Sequence, residues 1–176
     1  RDFTFNSMSA TPDGMVYDHF NGMQDLANRR IHFVGRPEER ILEDHLRILR
    51  YFRFIAVLGM RIDDQSAYQK CIQHAPLLKE LSGERIRDEF FKMLNSENNF
   101  DAIGMMVSSG VAEHFLPEAV TPILLERLMW LETSAMKFET IGVDPIRRLA
   151  SFLETDADGA RAIAERLRLS NVQRDQ

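Results

Sequence analysis

Residues 43–54 read EDHLRILRYFRF, and this stretch decides the fold of its region because it sets an apolar stripe beside charged positions. At about 3.6 residues per turn, Ile41, Ile48, Phe52 and Ile55 share one side of a helix. Such a stripe is expected to pack inward against a core. The pattern therefore predicts an α-helix here, with its charged side facing away from the core.

The charged side of this predicted helix brings acid and base together. Arg40, Asp44 and Arg47 lie within about one side-chain width of each other on an ideal helix, and Arg50 and Arg53 follow. A carboxylate beside a guanidinium offers one acceptor next to one donor, which complements the Watson–Crick edges of cytosine and adenine. Uracil and guanine present the opposite order, and each buried polar group left unpaired costs about 1–3 kcal/mol. Protein side chains alone can therefore select C and A.

The same spacing also has a simpler interpretation. An Asp and an Arg three positions apart on a helix commonly form a solvated ion pair worth a few tenths of a kcal/mol. The aromatic residues Phe33, Tyr51 and Phe54 likewise fit either base stacking or ordinary core packing. Spacing alone leaves these alternatives open.

Four blocks occur in a fixed order around this helix: RDFTFNSM at residues 1–8, DHFNG at 18–22, EDHLRILR at 43–50 and SGERIRDE at 82–89. Together they resemble the tRNA nucleotidyltransferases that add CCA and the related bacterial poly(A) polymerases, the class II branch of the nucleotidyltransferase superfamily. The resemblance is close over roughly the first 95 residues. The remainder resembles the family only in its helical character.

The resemblance implies roles for the matching residues. Arg1 and Asp2 would help hold the incoming nucleotide, with Asp2 at the ribose hydroxyl. Asp44 and Arg47 would be the templating pair, and Arg50 would lie nearby for the nucleotide. Supporting positions would couple or brace these parts, and they are Asp18, Gly22, Glu43, Glu84, Arg85 and Arg87.

The family's catalytic strand does not occur in residues 1–176; it is a Gly-Ser or Gly-Gly turn followed by two carboxylates spaced Asp-x-Asp. Phosphoryl transfer by two metal ions needs such clustered carboxylates. We therefore expect a fragment of a longer enzyme that is inactive by itself and holds no catalytic residue and no metal ligand. The whole enzyme would use Mg²⁺ with the substrates ATP and CTP.

Composition limits the class of protein. The chain is 44% hydrophobic and 28% charged, which allows a real core, and its net charge of −5 argues against general affinity for nucleic acid. Contacts with RNA must therefore come from local patches. The single cysteine, Cys71, cannot form an internal disulfide and favours a reducing compartment. No signal peptide or apolar run of about 18 residues occurs, so a cytoplasmic location is expected.

The predicted fold class is α+β, mostly α. Residues 1–35 would be a short β remnant, the C-terminal part of a nucleotidyltransferase head, residues 36–98 a neck with the nucleobase-selecting helix, and residues 99–176 an all-helical, tRNA-binding body. Helices after Gly35 are predicted to begin at Pro37 and at the Asp63–Asp64 pair, and the first of these helices is predicted to end at Gly59. Further helices are predicted for the segment capped by Ser82 and for residues 99–109, 122–134, 145–153 and 156–169.

Three short strands of an open sheet are expected in the head. They would contain Phe3 and Phe5, residues 15–17 and residues 31–34, with a tight turn at residues 11–14. Open sheet edges invite pairing with another chain. Self-association is therefore predicted.

The expected partners are the 3′ end of tRNA and nucleoside triphosphates, with no membrane involved. Arginines of the body intermingle with acidic residues, which predicts a mixed surface, and they are Arg147, Arg148, Arg161, Arg166 and Arg168. Met129 and Trp130 are predicted to be core. Two alternatives stay open: a poly(A) polymerase of the same family, and a non-catalytic helical module that binds RNA or protein.

Overall fold

The computed structural model describes residues 1–97, 99–132 and 142–174. The chain is mostly helical with a small sheet, which confirms the predicted fold class. Short 3₁₀ helices lie at Ala75–Glu80 and Ala112–His114. The α-helices are α1 (Gly22–Ala27), α2 (Pro37–Glu43), α3 (Leu46–Leu58), α4 (Gln65–His74), α5 (Gly83–Leu94), α6 (Asn99–Ser108), α7 (Ile123–Trp130), α8 (Pro145–Ala150), α9 (Ala157–Arg166) and α10 (Asn171–Arg174).

The head contains a hairpin in place of the predicted three-stranded sheet. Strands β1 (Ser9–Ala10) and β2 (Val16–Tyr17) pair antiparallel, while Phe3 forms only an isolated bridge with Phe33. The prediction of three strands in one sheet is wrong because the chain turns after Phe3. The side chain of Asn6 accepts the Phe3 N–H at 3.0 Å, so that donor serves a local turn and not a ladder.

A break at Asp44 divides the helix that the sequence predicts as continuous. Asp44 has φ −156° and ψ 107°, which is extended, and it separates α2 from α3. Its Oδ1 accepts the N–H of Leu46 at 3.1 Å. An Asp side chain that bonds a backbone N–H two residues on competes with helix formation, which explains the break.

Most predicted helix ends are confirmed. Pro37 occupies the first turn of α2, Gly59 ends α3 at φ 59°, and the side chains of Asp64 and Ser82 cap α4 and α5. In the body, α8 and α9 are shorter than predicted, α10 is additional, and the last part of the predicted helix over 122–134 lies outside the described residues.

The core runs from the head to the body without interruption. Helix α3 buries Ile48, Phe52 and Ile55 and packs against α5 and α6. Phe33 and Tyr51 are buried as well, which favours their interpretation as core. The predicted domain boundaries at residues 35 and 98 stay a prediction.

Two predictions for the body are wrong. Trp130 is 60% exposed, because it follows the buried Leu125 by five positions and so lies on another side of α7. Arg148 was predicted on a mixed surface, but it is fully buried. Its Nε lies 2.8 Å from Glu132 Oε2, and its Nη1 lies 2.6 Å from Leu94 O. These partners replace the water that a surface arginine would have.

Each described helix is too short or too polar to cross a lipid bilayer.

Candidate nucleotide-binding site

Asp2 joins two arginines of α3. Its Oδ1 accepts from Arg47 Nε at 2.7 Å, and its Oδ2 accepts from Arg50 Nε at 2.5 Å. The backbone of Asp2 is fixed by Val34, whose N–H donates to Asp2 O at 3.0 Å. Three of the predicted nucleotide-binding residues are therefore brought together at the start of α3.

The Asp2 carboxylate is partly buried and charged. Burial alone raises the pKa of its carboxyl, but the hydrogen bonds and positive charges of Arg47 and Arg50 outweigh that effect, so the pKa lies below its ordinary value. Asp2 therefore stays ionised at neutral pH and holds both guanidiniums in place.

The Arg47 guanidinium donates hydrogen bonds to several groups of the site. Besides Asp2, it donates through Nη1 to Glu43 Oε2 at 2.6 Å and to Arg40 O at 2.5 Å. Arg40 pairs with Glu43 as well, and its Nη2 donates to Arg1 O at 2.6 Å. The backbone of Arg1 is thereby tied to α2, and Glu43 contacts both Arg40 and Arg47.

Asp44 pairs with Arg85 of α5 and not with Arg47, so the solvated Asp44–Arg47 ion pair that the spacing also allowed does not form. The templating role of Asp44 and Arg47 stays a prediction. Arg85 Nη2 lies 3.0 Å from each carboxylate oxygen of Asp44. Because Asp44 is extended, its side chain leaves the helical register that would set it beside Arg47. Asp44 still precedes α3 by two residues, and Arg47 lies in the first turn of that helix.

Glu89 is a residue of the site that the sequence analysis does not single out. Its side chain is 6% exposed and lies 2.7 Å from Arg53 Nε, 2.8 Å from Lys92 Nζ and 3.9 Å from Arg50 Nη1. The sequence does contain a signal for Glu89: it follows Ile86 by three positions, which places an acidic residue on the apolar side of α5. A carboxylate at a core position needs a charged partner.

Asp18 and Gly22 fix the start of α1. The Asp18 carboxylate accepts hydrogen bonds from the backbone N–H groups of Met23 at 2.9 Å and Gly22 at 2.8 Å. These hydrogen bonds hold the pKa of the Asp18 carboxyl below its usual range. A Cβ on Gly22 would lie 2.4 Å from Thr4 O. Only glycine therefore lets α1 approach the segment that carries Asp2.

Glu84 and Arg87 face the end of α9. Arg87 Nη1 donates to Arg168 O at 2.5 Å, and Glu84 Oε1 lies 4.0 Å from Arg168 Nε. Gly83 permits this approach, because a Cβ there would lie 1.9 Å from Arg166 O. These two residues thus connect α5 to the body and do not reach the Asp2 cluster.

The site has an excess of positive charge. Arg47 Nη2 has no hydrogen-bond partner among the described residues, so it is available as a donor. Guanidiniums suit phosphate oxygens and planar base edges. The charged residues are Arg1, Arg40, Arg47, Arg50 and Arg53 around Asp2, Glu43 and Glu89.

The carboxylates of this site do not fit a Mg²⁺ site. Asp2, Glu43 and Glu89 are each paired with arginine. In the described ranges, no group of three or more His, Cys, Asp or Glu side chains is placed to hold a metal ion.

Known proteins resemble this chain in sequence. A family model for the poly(A) polymerase head domain matches residues 1–32, and a model for the probable RNA- and SrmB-binding site of polymerase A matches residues 59–121. The CCA-adding enzyme of Streptococcus suis is 34% identical over 177 residues, which cover 94% of this chain and 43% of that protein. The chain thus spans less than half the length of this curated relative.

Solved structures of CCA-adding enzymes share the fold. The Thermotoga maritima enzyme, complexed with tRNA, matches with a TM-score of 0.74 and 25% identity over 99% of this chain and 45% of its own. The Bacillus stearothermophilus enzyme, in complex with CTP, matches with a TM-score of 0.74 and 27% identity over 99% and 43%. Sequence blocks, fold and relatives agree, and the chain belongs to the family of CCA-adding enzymes and poly(A) polymerases.

Proposed function

We propose that this chain is the nucleotide-selecting and RNA-binding part of a tRNA nucleotidyltransferase that adds CCA from CTP and ATP. The observation that carries the proposal is the cluster in which Asp2 holds Arg47 and Arg50 at the start of α3, next to Asp44. Its relatives in Streptococcus suis, Thermotoga maritima and Bacillus stearothermophilus are CCA-adding enzymes.

In this proposal Asp44 and Arg47 read the base. Asp44 accepts a hydrogen bond from the exocyclic amine of cytosine or adenine, and Arg47 donates through Nη2 to the neighbouring ring nitrogen. Arg47 keeps its bonds to Asp2 and Glu43 while it does so, which holds the donor still. A preorganised donor loses less conformational entropy when the base binds.

Arg1, Asp2 and Arg50 hold the rest of the nucleotide. Arg50 lies between Asp2 and Glu89, so its guanidinium has a fixed direction from which to meet phosphate oxygens. Asp2 offers carboxylate lone pairs to the ribose hydroxyl. Mg²⁺ would be held by carboxylates other than those described, and it would neutralise charge on the phosphates.

Binding of the four nucleotides tests the proposal. CTP and ATP are expected to bind the full chain more tightly than UTP and GTP in a fluorescence or calorimetric titration. Asp44→Ala and Arg47→Ala are expected to remove that preference. Asp88→Ala is the matched control, because Asp88 forms a surface ion pair with Arg87 of the same kind.

Two other outcomes would change the proposal. If the variants alter stability but not nucleotide choice, the chain acts as a helical binding module for RNA or protein. If only ATP is preferred, a poly(A) polymerase is favoured. Incorporation of nucleotide by this chain alone above background would contradict the expectation that it is inactive.

A cytoplasmic location and self-association also remain part of the proposal. Cys71 is buried and free, which suits a reducing compartment. The hairpin strands β1 and β2 are exposed and leave open edges. The large apolar side chains of β2, Val16 and Tyr17, are exposed, as is Met15 just before them. A monomeric sedimentation profile at high concentration would contradict self-association.

A further inference from the structure

A cavity lies near the C-terminal end of α3, whereas the Asp2 cluster, formed by Asp2, Arg47 and Arg50, lies near its N-terminal end. The cavity has a volume of about 450 Å³. Its lining includes the charged residues Arg29 and Arg61 and the apolar residues Ile55, Met60 and Met105. From Arg47 to the end of α3, twelve residues at about 1.5 Å each amount to about 18 Å. The cavity is therefore separate from the Asp2 cluster.

Arg29 and Arg61 are the cationic side chains that line this cavity. Among the described residues, no carboxylate lies within 4.0 Å of either guanidinium, and neither side chain has a hydrogen-bond partner. Most other arginines are engaged in ion pairs, including the exposed Arg36, Arg161 and Arg168. Two cations without partners at one cavity repel each other and favour an anion between them.

The backbone holds these two arginines together. Arg61 N donates to Arg29 O at 2.5 Å, and residues 30 and 61 form a parallel bridge. Arg29 has φ 55°, a left-handed conformation that costs a non-glycine residue energy and that the surrounding structure must maintain. The Arg29 guanidinium lies near Gly59 at the end of α3, since a Cβ there would lie 3.6 Å from its Nη1.

The charge of the cavity remains positive after every facing group is included. Asp101 of α6 also lines it, and the C-terminal end of α3 adds a partial negative charge. Two guanidiniums outweigh one carboxylate and that partial charge. The apolar walls suit a ribose or base beside a bound phosphate.

We propose that Arg29 and Arg61 bind phosphodiester groups of an RNA strand whose end lies at the Asp2 cluster. At about 3.4 Å per stacked nucleotide, a short RNA end spans the distance along α3. The inference rests on the proposed function, because it takes RNA as the ligand. Arg29 lies in the part that matches the head domain and Arg61 in the part that matches the RNA-binding model, so the cavity joins the two.

Removal of both charges tests the inference. Arg29→Asn keeps a residue that tolerates the left-handed conformation, and Arg61→Gln removes the second charge. The probe is an RNA hairpin with a short single-stranded 3′ end, titrated with the full chain at several salt concentrations. Each lost phosphate contact is expected to lower the slope of log K against log salt by about 0.7 to 1, and RNA affinity is expected to fall about tenfold while CTP affinity stays unchanged.

The matched control is the double variant Arg36→Asn and Arg161→Gln. It removes the same charge from exposed arginines that already have ion-pair partners, and it should leave the salt slope unchanged. Circular dichroism melting checks that both double variants fold.

Three outcomes would overturn the inference. If both double variants bind RNA like the unchanged chain, the two arginines do not contact RNA. If the Arg29 and Arg61 variant loses affinity for CTP or inorganic phosphate and not for RNA, the cavity takes a free anion. If the unchanged chain binds CTP but no RNA at all, the RNA-binding part of the proposed function fails together with the inference.

Discussion

At the scale of single residues, Asp2 links the stability of the site to pH. Its carboxyl has a lowered pKa in the folded chain, so it stabilises the fold above its unfolded pKa of about 3.9 and loses that contribution as the pH falls through the folded value. Asp2→Asn is expected to lower the free energy of unfolding at pH 7 by about 1–3 kcal/mol.

Urea unfolding of the unchanged chain and of Asp2→Asn from pH 7 to about pH 2 measures this link. The difference between the two should shrink below about pH 4, because the unfolded carboxyl then binds a proton while the native carboxylate stays ionised down to its lower pKa. A difference that stays constant over this range would mean that the Asp2 charge does not stabilise the site.

Arg47 is expected to be irreplaceable by lysine. Its Nε and Nη1 bind Asp2 and Glu43 at the same time, whereas lysine has one ammonium and cannot hold both partners and donate to a base. Arg47→Lys should reduce the ratio of CTP affinity to UTP affinity by about tenfold or more. Arg36→Lys, at an exposed ion pair, should leave that ratio unchanged. Equal ratios in both variants would contradict the role of Arg47.

The sequence identifies the residues of the site better than it identifies their partners. Spacing along a helix predicts neighbours within that helix, so Asp44 and Arg47 are expected to pair. The partner of Asp44 is Arg85, which lies 41 positions away and is brought close by the packing of α5 on α3. Contacts of this range depend on tertiary structure, which local spacing does not contain.

At the scale of secondary-structure elements, α1 depends on one glycine. Gly22→Ala would set a Cβ 2.4 Å from Thr4 O, so either α1 or the segment that carries Asp2 must move. We expect a loss of about 1–3 kcal/mol in the free energy of unfolding and weaker CTP binding. Gly142→Ala is the control, since a Cβ there meets no atom of residues 1–97, 99–132 or 142–174 within 4 Å.

Chemical denaturation together with a CTP titration checks this prediction. Gly22→Ala with the stability and CTP affinity of the control would show that the close approach of α1 does not matter. A loss of stability without a loss of CTP affinity would separate α1 from the site.

Helix ends were predictable because their signals are local. Pro37, Asp64 and Ser82 act through the backbone of their own turn, and the sequence alone predicts all three. The break at Asp44 was not predicted, since the sequence shows an uninterrupted apolar period there. The number of strands was also wrong, because pairing of Phe3 depends on Phe33, thirty positions away.

At the scale of the whole molecule, a buried ion pair connects α8 to the end of α5. Arg148 is fully buried. Its guanidinium donates to Leu94 O in the last turn of α5 and to Ser96 O just beyond it, and it also pairs with Glu132. Among the residues that the structure describes, Arg148→Met would leave Glu132 with Arg147 as its remaining ion-pair partner. We expect a loss of about 3 kcal/mol in the free energy of unfolding.

Guanidinium chloride unfolding measures the effect of Arg148→Met. Arg161→Met is the control, because Arg161 is exposed and its ion pair with Asp158 should contribute little. Equal stabilities of the two variants would mean that the buried pair does not hold the body on α5.

The central claim is that Asp44 and Arg47 read the base, and a crystal structure of the full chain bound to CTP tests it most directly. The account predicts the exocyclic amine of cytosine about 3 Å from the Asp44 carboxylate, and the cytosine N3 about 3 Å from the Arg47 guanidinium. A base bound elsewhere, with both groups beyond hydrogen-bonding distance, would contradict it.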